Sequence, residues 1–547
     1  MRTLTFYDLK KRASRISWPL LVFLLLALNV KLVVKIAAIL LVCIYNRKEF
    51  SARNFFRQRY LWFYFGMICI GLINLLLQYR SLNVAYLATA IMGLSFWVMS
   101  ALIAYQLFII IQKEDNTKLH NAICIFLLLH CAAIFVNFLL IVVETGSLNP
   151  YTYKGLNQKY YISTGDSIMG ITFDAPVATA FICAFGLIYF LYRQRFLLAL
   201  VSMAALLIMA SNFANLILIG VLFFAFVFYS NRLQKSFILI SLVMLVVFMA
   251  RISPQNNEHV GRIFYQVINK PYDLPPVKVI PLAQLKKEPD SVLTFDERRK
   301  KYAQNYIDSM NTIRLGSDFK EPESIVEKKN NPDTGIKKDN NIFFQFRESE
   351  VTEKKINQYS AFMNEVYPAE KEDSLIKQYN WKNPGKFIAG KQLCDFFRAH
   401  PAKALTGAGV GNFSSRLAFK ATLLNIAGRY PAKWKYINPD FLYNHLFLYL
   451  YYHSQDQSKH EASNTPDAVY YQVMGEYGIL GMIFLLVLYF GFFIRRVHVK
   501  SYGLPLFLLL TGSFFAEYWF EQFSIVVLFE LLFFVDIKDM RREEQEV

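Results

Sequence analysis

Apolar residues gather at both ends of the chain in long runs: 18–30, 32–45, 60–77, 84–111, 119–143, 168–192, 196–210, 213–229, 237–250, 471–494, 504–519 and 523–535. Segments of this kind cross about 30 Å of hydrocarbon as helices, and no closed-barrel alternation of apolar and polar residues accompanies them. The pattern predicts an all-α polytopic membrane protein with about twelve transmembrane helices. The first two runs are short for a full crossing and could form one long tilted helix; the charge of the loops decides for two passes.

Between these blocks the pattern changes. Residues 251–470 hold more than half of all the charges, with both signs mixed, which predicts a large, mainly helical loop between the ninth and tenth helices. The chain therefore divides into a bundle of nine helices (1–250), the loop (251–470), and three helices with a tail (471–547). Within the loop, 286–383 reads as a charged insertion of polar helices and flexible turns with scattered aromatics, and is expected to be accessory. Residues 387–471 are more apolar and denser in His, Arg and Tyr.

Basic residues fix the orientation. Lys10, Lys11, Arg12 and Arg15, then Arg47, Lys48, Arg53, Arg57 and Arg59, fall on one side. So do Arg193, Arg195, Arg232, Lys235, Arg495, Arg496, Lys500, Lys538, Arg541 and Arg542, whereas the opposite short loops keep few, such as Arg80, Lys154 and Lys159. The positive-inside bias puts both termini in the cytoplasm and the loop outside, with the first apolar run retained as a helix and not cleaved as a signal peptide. The expected location is a bacterial inner membrane, with the loop in the periplasm.

Composition agrees with this picture. Of 547 residues, 55% are hydrophobic, 16% aromatic and 18% charged, and mean hydropathy is +0.28, which takes the chain out of the soluble class. The formal charge of +18 sits largely in short loops as an orientation signal, so no nucleic-acid partner is expected. Five cysteines lie in apolar runs and Cys394 is alone in the loop, so no disulfide framework is predicted there.

Two loop stretches carry candidate chemistry. One is HPAKALTGAGVGNF, 400–413; the other, SNTPDAVYYQVMGEYGILG, 463–481, runs into the tenth helix. His400, Pro401, Gly407, Gly409 and Gly411, followed by Tyr470, Gln472, Glu476, Gly478 and Gly481, together resemble the O-antigen ligase and polymerase family. GITFDAP, 170–176, and ASNFANL, 210–216, resemble two further elements of that family. The resemblance covers the helical topology and about 80 loop residues, without the charged insertion. It implies a glycosyltransferase that moves a glycan from an undecaprenyl diphosphate carrier to an acceptor hydroxyl at the outer face. The acceptor would be lipid A core, a growing glycan or a protein; no cofactor or metal is implied.

The sequence departs from the family at two places. Asp467 and Ala468 stand where a His-Asn or His-Ser pair is expected, and Ser211 is followed by Asn212 where a Ser-Arg turn is expected. Base candidates are therefore Asp467, which reads equally as a helix cap, and His460, with His445 and His453 further back; a lone histidine more often serves packing. Cation candidates for the diphosphate are Arg251, Arg262, Arg398, Arg416 and Arg429, each of which alone also reads as a solvated charge. The Gly407–Gly409–Gly411 turn could offer N–H groups to phosphate or simply join two helices. Asp174 and Asn212 are placed at the same face by topology. Glu476 is assigned to helix packing, Glu517 and Glu521 to a solvated turn, and Glu530, inside the last run, needs a partner. The alternatives of another class are a glycolipid transporter and a non-catalytic membrane subunit.

Overall fold

A computed structural model describes residues 13–79, 83–152, 168–252, 282–288, 354–428, 430–455, 462–498 and 501–546, with scattered positions at 293–308 and at 460. Regular structure among the described residues is helical throughout. Four helices are long and apolar enough to cross a membrane: Arg59–Leu77, Val84–Lys113, Asn116–Thr145 and Ala462–Ile494. Six more apolar helices run 10–17 residues.

Two helices form the axis of the bundle. Pro176–Tyr192 is buried on almost every face, and so is the first half of Ser524–Glu546; a helix that is apolar all round needs neighbours on every side. Pro176–Tyr192 packs on Phe196–Met209, Asn116–Thr145 and Gly503–Ser513, and Ser524–Glu546 on Val84–Lys113 and Gly503–Ser513. The outer helices bury one face and turn apolar side chains outward, such as Val33, Leu40 and Ile44, or Val136, Leu139 and Leu140. That surface is compatible with membrane insertion. Glu530, within the apolar core, accepts hydrogen bonds from the hydroxyls of Tyr64 and Tyr489, so the buried carboxyl has its partners.

The run predicted as one helix over 504–519 is interrupted. Gly503–Ser513 ends in a turn, Trp519–Gln522 forms a single helical turn, and Phe523 takes a positive φ (φ 68°, ψ −34°) before Ser524–Glu546 begins. The indole N–H of Trp519 donates to the Ser513 carbonyl at 2.7 Å and holds the turn closed.

The loop has its own apolar core. Tyr359, Phe362 and Tyr367 pack with Phe419, Phe441 and Phe447, and Tyr518 from the broken helix joins them. Trp381 lies against Tyr451 with ring centroids 4.0 Å apart. Residues 359–381, counted in the sequence with the charged insertion, thus belong to the packed unit; 309–353 lie outside the described residues.

Candidate functional site

The glycine turn does its work through backbone contact. Helix Val469–Ile483 is kinked at Gly478 (φ 66°, ψ −161°). Into that kink the turn docks: Ala408 N donates to the Gly475 carbonyl at 2.8 Å and Gly409 N to the Glu476 carbonyl at 3.1 Å. Ile479 N and Leu480 N donate back to the Ala404 and Leu405 carbonyls. A Cβ on Gly407 would stand 2.3 Å from the Glu476 carbonyl carbon, so glycine is what lets the two backbones meet. The N–H groups of Ala408 and Gly409 are therefore engaged by protein carbonyls. Further along, Ser414 N donates to the Glu476 carboxylate at 3.3 Å.

This docking fixes the segment that follows. Ser415 caps the short helix Arg416–Ala421, accepting from Ala418 N at 3.1 Å, and the helix presents Arg416 and Lys420. Opposite them stand Glu517 and Glu521 from the broken helix; Leu417 N donates to Glu521 at 2.9 Å. Lys386, at the start of Gly385–Ala399, donates to the Asp467 backbone carbonyl at 2.6 Å. Arg416 lies within electrostatic reach of Asp467, Glu517, Glu521, Lys420 and Lys35. Lys386, Arg416, Lys420, Asp467, Glu517 and Glu521 each stay half-buried. They line a recess that keeps some solvent while protein crowds every charge.

The floor is the helix break. The buried ammonium of Lys35 donates to the Gln522 carbonyl and lies 5.3 Å from the centre of the Phe523 ring. On the other side of the break Ser524 Oγ donates to Asp174 at 2.8 Å. A cation thus sits at the carbonyl end and an anion at the amide end, each matching the local backbone dipole.

Burial sets the protonation of these groups. It pulls Lys386 down to about 8 against the attraction of Asp467 and Glu517. It pushes Glu521 up to about 8, helped by Glu476 and opposed by Lys420, and Glu517 up to about 7, helped by Asp467 and opposed by Arg416. Lys420 is lowered by burial and by Arg416 beside it. The recess therefore exchanges protons near neutral pH, where small changes in bound charge shift its state.

A buried chain of hydroxyls leads off the recess wall. Tyr518 OH and Ser414 Oγ are 3.0 Å apart, and Ser414 Oγ lies 2.7 Å from His445 Nδ1. His445 Nε2 is 3.2 Å from the Ala389 carbonyl, which can only accept. Burial lowers the His445 pKa to about 3. The ring is thus neutral with its proton on Nε2, and Nδ1 accepts from Ser414.

Of the residues singled out from sequence, Asp174, Arg416 and Asp467 come together here. Glu517 and Glu521, expected to be solvated, are half-buried and stand within electrostatic reach of Arg416 and, for Glu521, of Lys420. Arg398 is instead exposed and paired with Asp395 at 2.9 Å, and Arg251 is exposed in the turn Phe248–Ile252. Asn212 opens helix Asn212–Phe228 and is half-buried. His460 stacks on His453 (4.9 Å), which stacks on Tyr449 (3.9 Å). Arg262 and Arg429 lie outside the described residues. Sequence reasoning missed Lys35, Lys386 and Lys420. Lys35 had a signal, being the one charge in the apolar run 32–45; the two loop lysines had none. No family model, curated protein or solved structure matches this chain.

Proposed function

We propose that this chain is a multi-pass glycosyltransferase of the bacterial inner membrane, with about twelve crossings, cytoplasmic termini and the loop in the periplasm. It would move a glycan from an undecaprenyl diphosphate carrier to an acceptor hydroxyl, as an O-antigen ligase does. The observation that carries this reading is the recess. Lys35, Lys386, Arg416 and Lys420, from segments far apart in sequence, converge on one end of the bundle beside Asp467, Glu517 and Glu521.

That set suits the reaction. The acceptor oxygen attacks the anomeric carbon and its proton passes to a carboxylate, for which Asp467 is the leading candidate. The bond from that carbon to the diphosphate oxygen breaks, and the electron pair stays on the diphosphate, where the cations meet the charge. Depth supports the assignment too. The recess adjoins Ser524, while the opposite end of Ser524–Glu546 carries a separate network in which Asp539 contacts His120 (2.9 Å) and Arg193 (3.2 Å). Fifteen residues of helix separate the two networks, or about 22 Å, which sets them toward opposite ends of the bundle.

Polymerisation of repeat units and transfer to protein hydroxyls use the same chemistry and differ in acceptor. The test is incubation of purified protein with a glycan on undecaprenyl diphosphate and each acceptor class. Formation of a glycosylated acceptor with release of the lipid diphosphate is expected. Movement of the intact glycolipid across a vesicle without bond cleavage would make the chain a transporter, and inactivity with every acceptor would make it a non-catalytic subunit.

A further inference from the structure

Beside the recess an apolar groove of about 530 Å³ opens on the outer surface of the bundle. Its walls are helices Asn212–Phe228 and Gly503–Ser513, with Ile217, Gly220 and Phe224 on one side, Leu508 on the other, and Tyr470 and Phe515 at the head. From Ile217 to Phe224 it runs seven residues of helix, about 10 Å. Gly220 gives it width, since a Cβ there would meet nothing within 4 Å.

The lining selects the chemistry of an occupant. Tyr470 OH donates to the Thr511 carbonyl at 2.8 Å, and Thr511 Oγ1 to the Leu508 carbonyl at 2.9 Å. The polar groups on the wall are thus satisfied within the protein, and the groove offers hydrocarbon. Leu216 and Phe223, on the same helix, face outward at 64% and 62% exposure, so the groove opens toward whatever surrounds the apolar helices. Its position selects further. Tyr470 follows Asp467 by three residues, Phe515 precedes Glu517 by two, and Val469 N donates to the Phe514 carbonyl at 2.8 Å, binding the two segments together. The head of the groove therefore abuts the charged recess.

We propose that this groove holds the hydrocarbon chain, next to the diphosphate, of the lipid whose diphosphate occupies the recess. The assignment rests on the transfer reading above, and it makes chain and head group a single binding unit. A chain bound here loses contact with surrounding lipid and gains fixed walls, so the diphosphate is delivered to the cations at one depth and in one direction.

The test uses the full-length protein in nanodiscs and a prenyl diphosphate carrying a photoreactive diazirine near its head. Labelling is expected on peptides covering 217–224 and 508–515. Gly220→Phe, which fills the groove, should lower it at least tenfold, whereas Leu216→Phe, on the outward face of the same helix, should not. Labelling scattered over the outer helices, or unchanged in Gly220→Phe, would overturn the proposal. So would a change of oligomeric state in Gly220→Phe with no loss of labelling, because the groove would then seat a helix of a second copy. Arg416→Ala should also lower labelling. If it does not, and a prenyl alcohol probe labels the same peptides equally, the groove holds lipid independently of the recess and the link to the diphosphate fails. Inability of the wild-type protein to transfer glycan, with groove labelling intact, would strike the transfer reading alone.

Discussion

The side-chain ammonium of Lys386 donates to the backbone carbonyl of Asp467, 2.6 Å away and 81 positions later in the chain. This contact ties the start of Gly385–Ala399 to the entry of Val469–Ile483 and keeps a cation facing the Asp467 carboxylate. Replacing Lys386 by Met is expected to lower kcat/KM for glycan transfer about ten- to a hundred-fold, the usual cost of one lost charge-assisted contact to phosphate. Arg416→Ala should fall in the same range. Steady-state kinetics at matched expression decide the point; wild-type values in both variants would remove these cations from the site.

Asp467→Asn is expected to cost more, about a hundred- to ten-thousand-fold in kcat, because it removes the proton acceptor while conserving shape. His460→Ala should cost under tenfold, since His460 is joined to this region through the His453 and Tyr449 rings. A larger defect in His460→Ala than in Asp467→Asn would transfer the role of base to the histidine.

Donor binding should weaken as pH rises. Lys386, held down to about 8, is cationic below that pH and neutral above it. Glu521, pushed up to about 8, is protonated below that pH and ionised above it. Both changes add negative character to the recess as pH passes 8, so KM for an anionic donor is expected to rise at least tenfold between pH 7 and pH 9. A flat KM across that window would exclude the recess as the diphosphate site.

Tyr64→Phe removes a donor from the buried Glu530 carboxyl. The cost expected is about 1–3 kcal/mol, read as a lower melting temperature of the detergent-solubilised protein. Unchanged melting in Tyr64→Phe would mean that water replaces the hydroxyl.

Reporter fusions at Arg53, Arg195 and Arg232 should read cytoplasmic, and a fusion at Trp381 extracytoplasmic. A cytoplasmic reading at Trp381 would place the recess on the wrong face for a periplasmic transfer.

The helices were legible because apolar runs in a chain of this hydropathy have few alternatives: Leu32–Tyr45 matches its run, and Pro176–Tyr192 ends where its run ends but starts at the proline, eight residues into it. Glu530 was legible for a related reason, since a carboxyl deep in such a run must find partners. A turn between 519 and 523 was legible too, because the apolar runs stop and restart there; the backbone of Phe523 was not. No glycine marks the position, and a phenylalanine at φ 68° persists only because surrounding contacts hold it. The recess was half legible. Asp174, Arg416 and Asp467 lie in or beside the resembling motifs, but pairing Glu521 with Lys420, or Lys386 with Asp467, is a property of packing between distant segments that periodicity does not encode. The glycine turn was open to two readings, a phosphate cradle or a join between helices, and its contact with the kink at Gly478 accounts for Gly407 by close backbone approach.

The break at Phe523 also orders the assembly of the protein in time. A chain leaves the ribosome from its amino terminus, so Lys35 is made 487 residues before the Gln522 carbonyl it contacts, and Asp174 is made 350 residues before Ser524. Until the last helix arrives, Lys35 and Asp174 lack those partners and have chiefly each other, which favours alternative arrangements of the unfinished chain. Completion of the final helix is thus the event that retires both charges at once. A chain stopped before position 519 would leave the two with only their mutual attraction, as a mark by which quality control could tell an unfinished copy from a finished one.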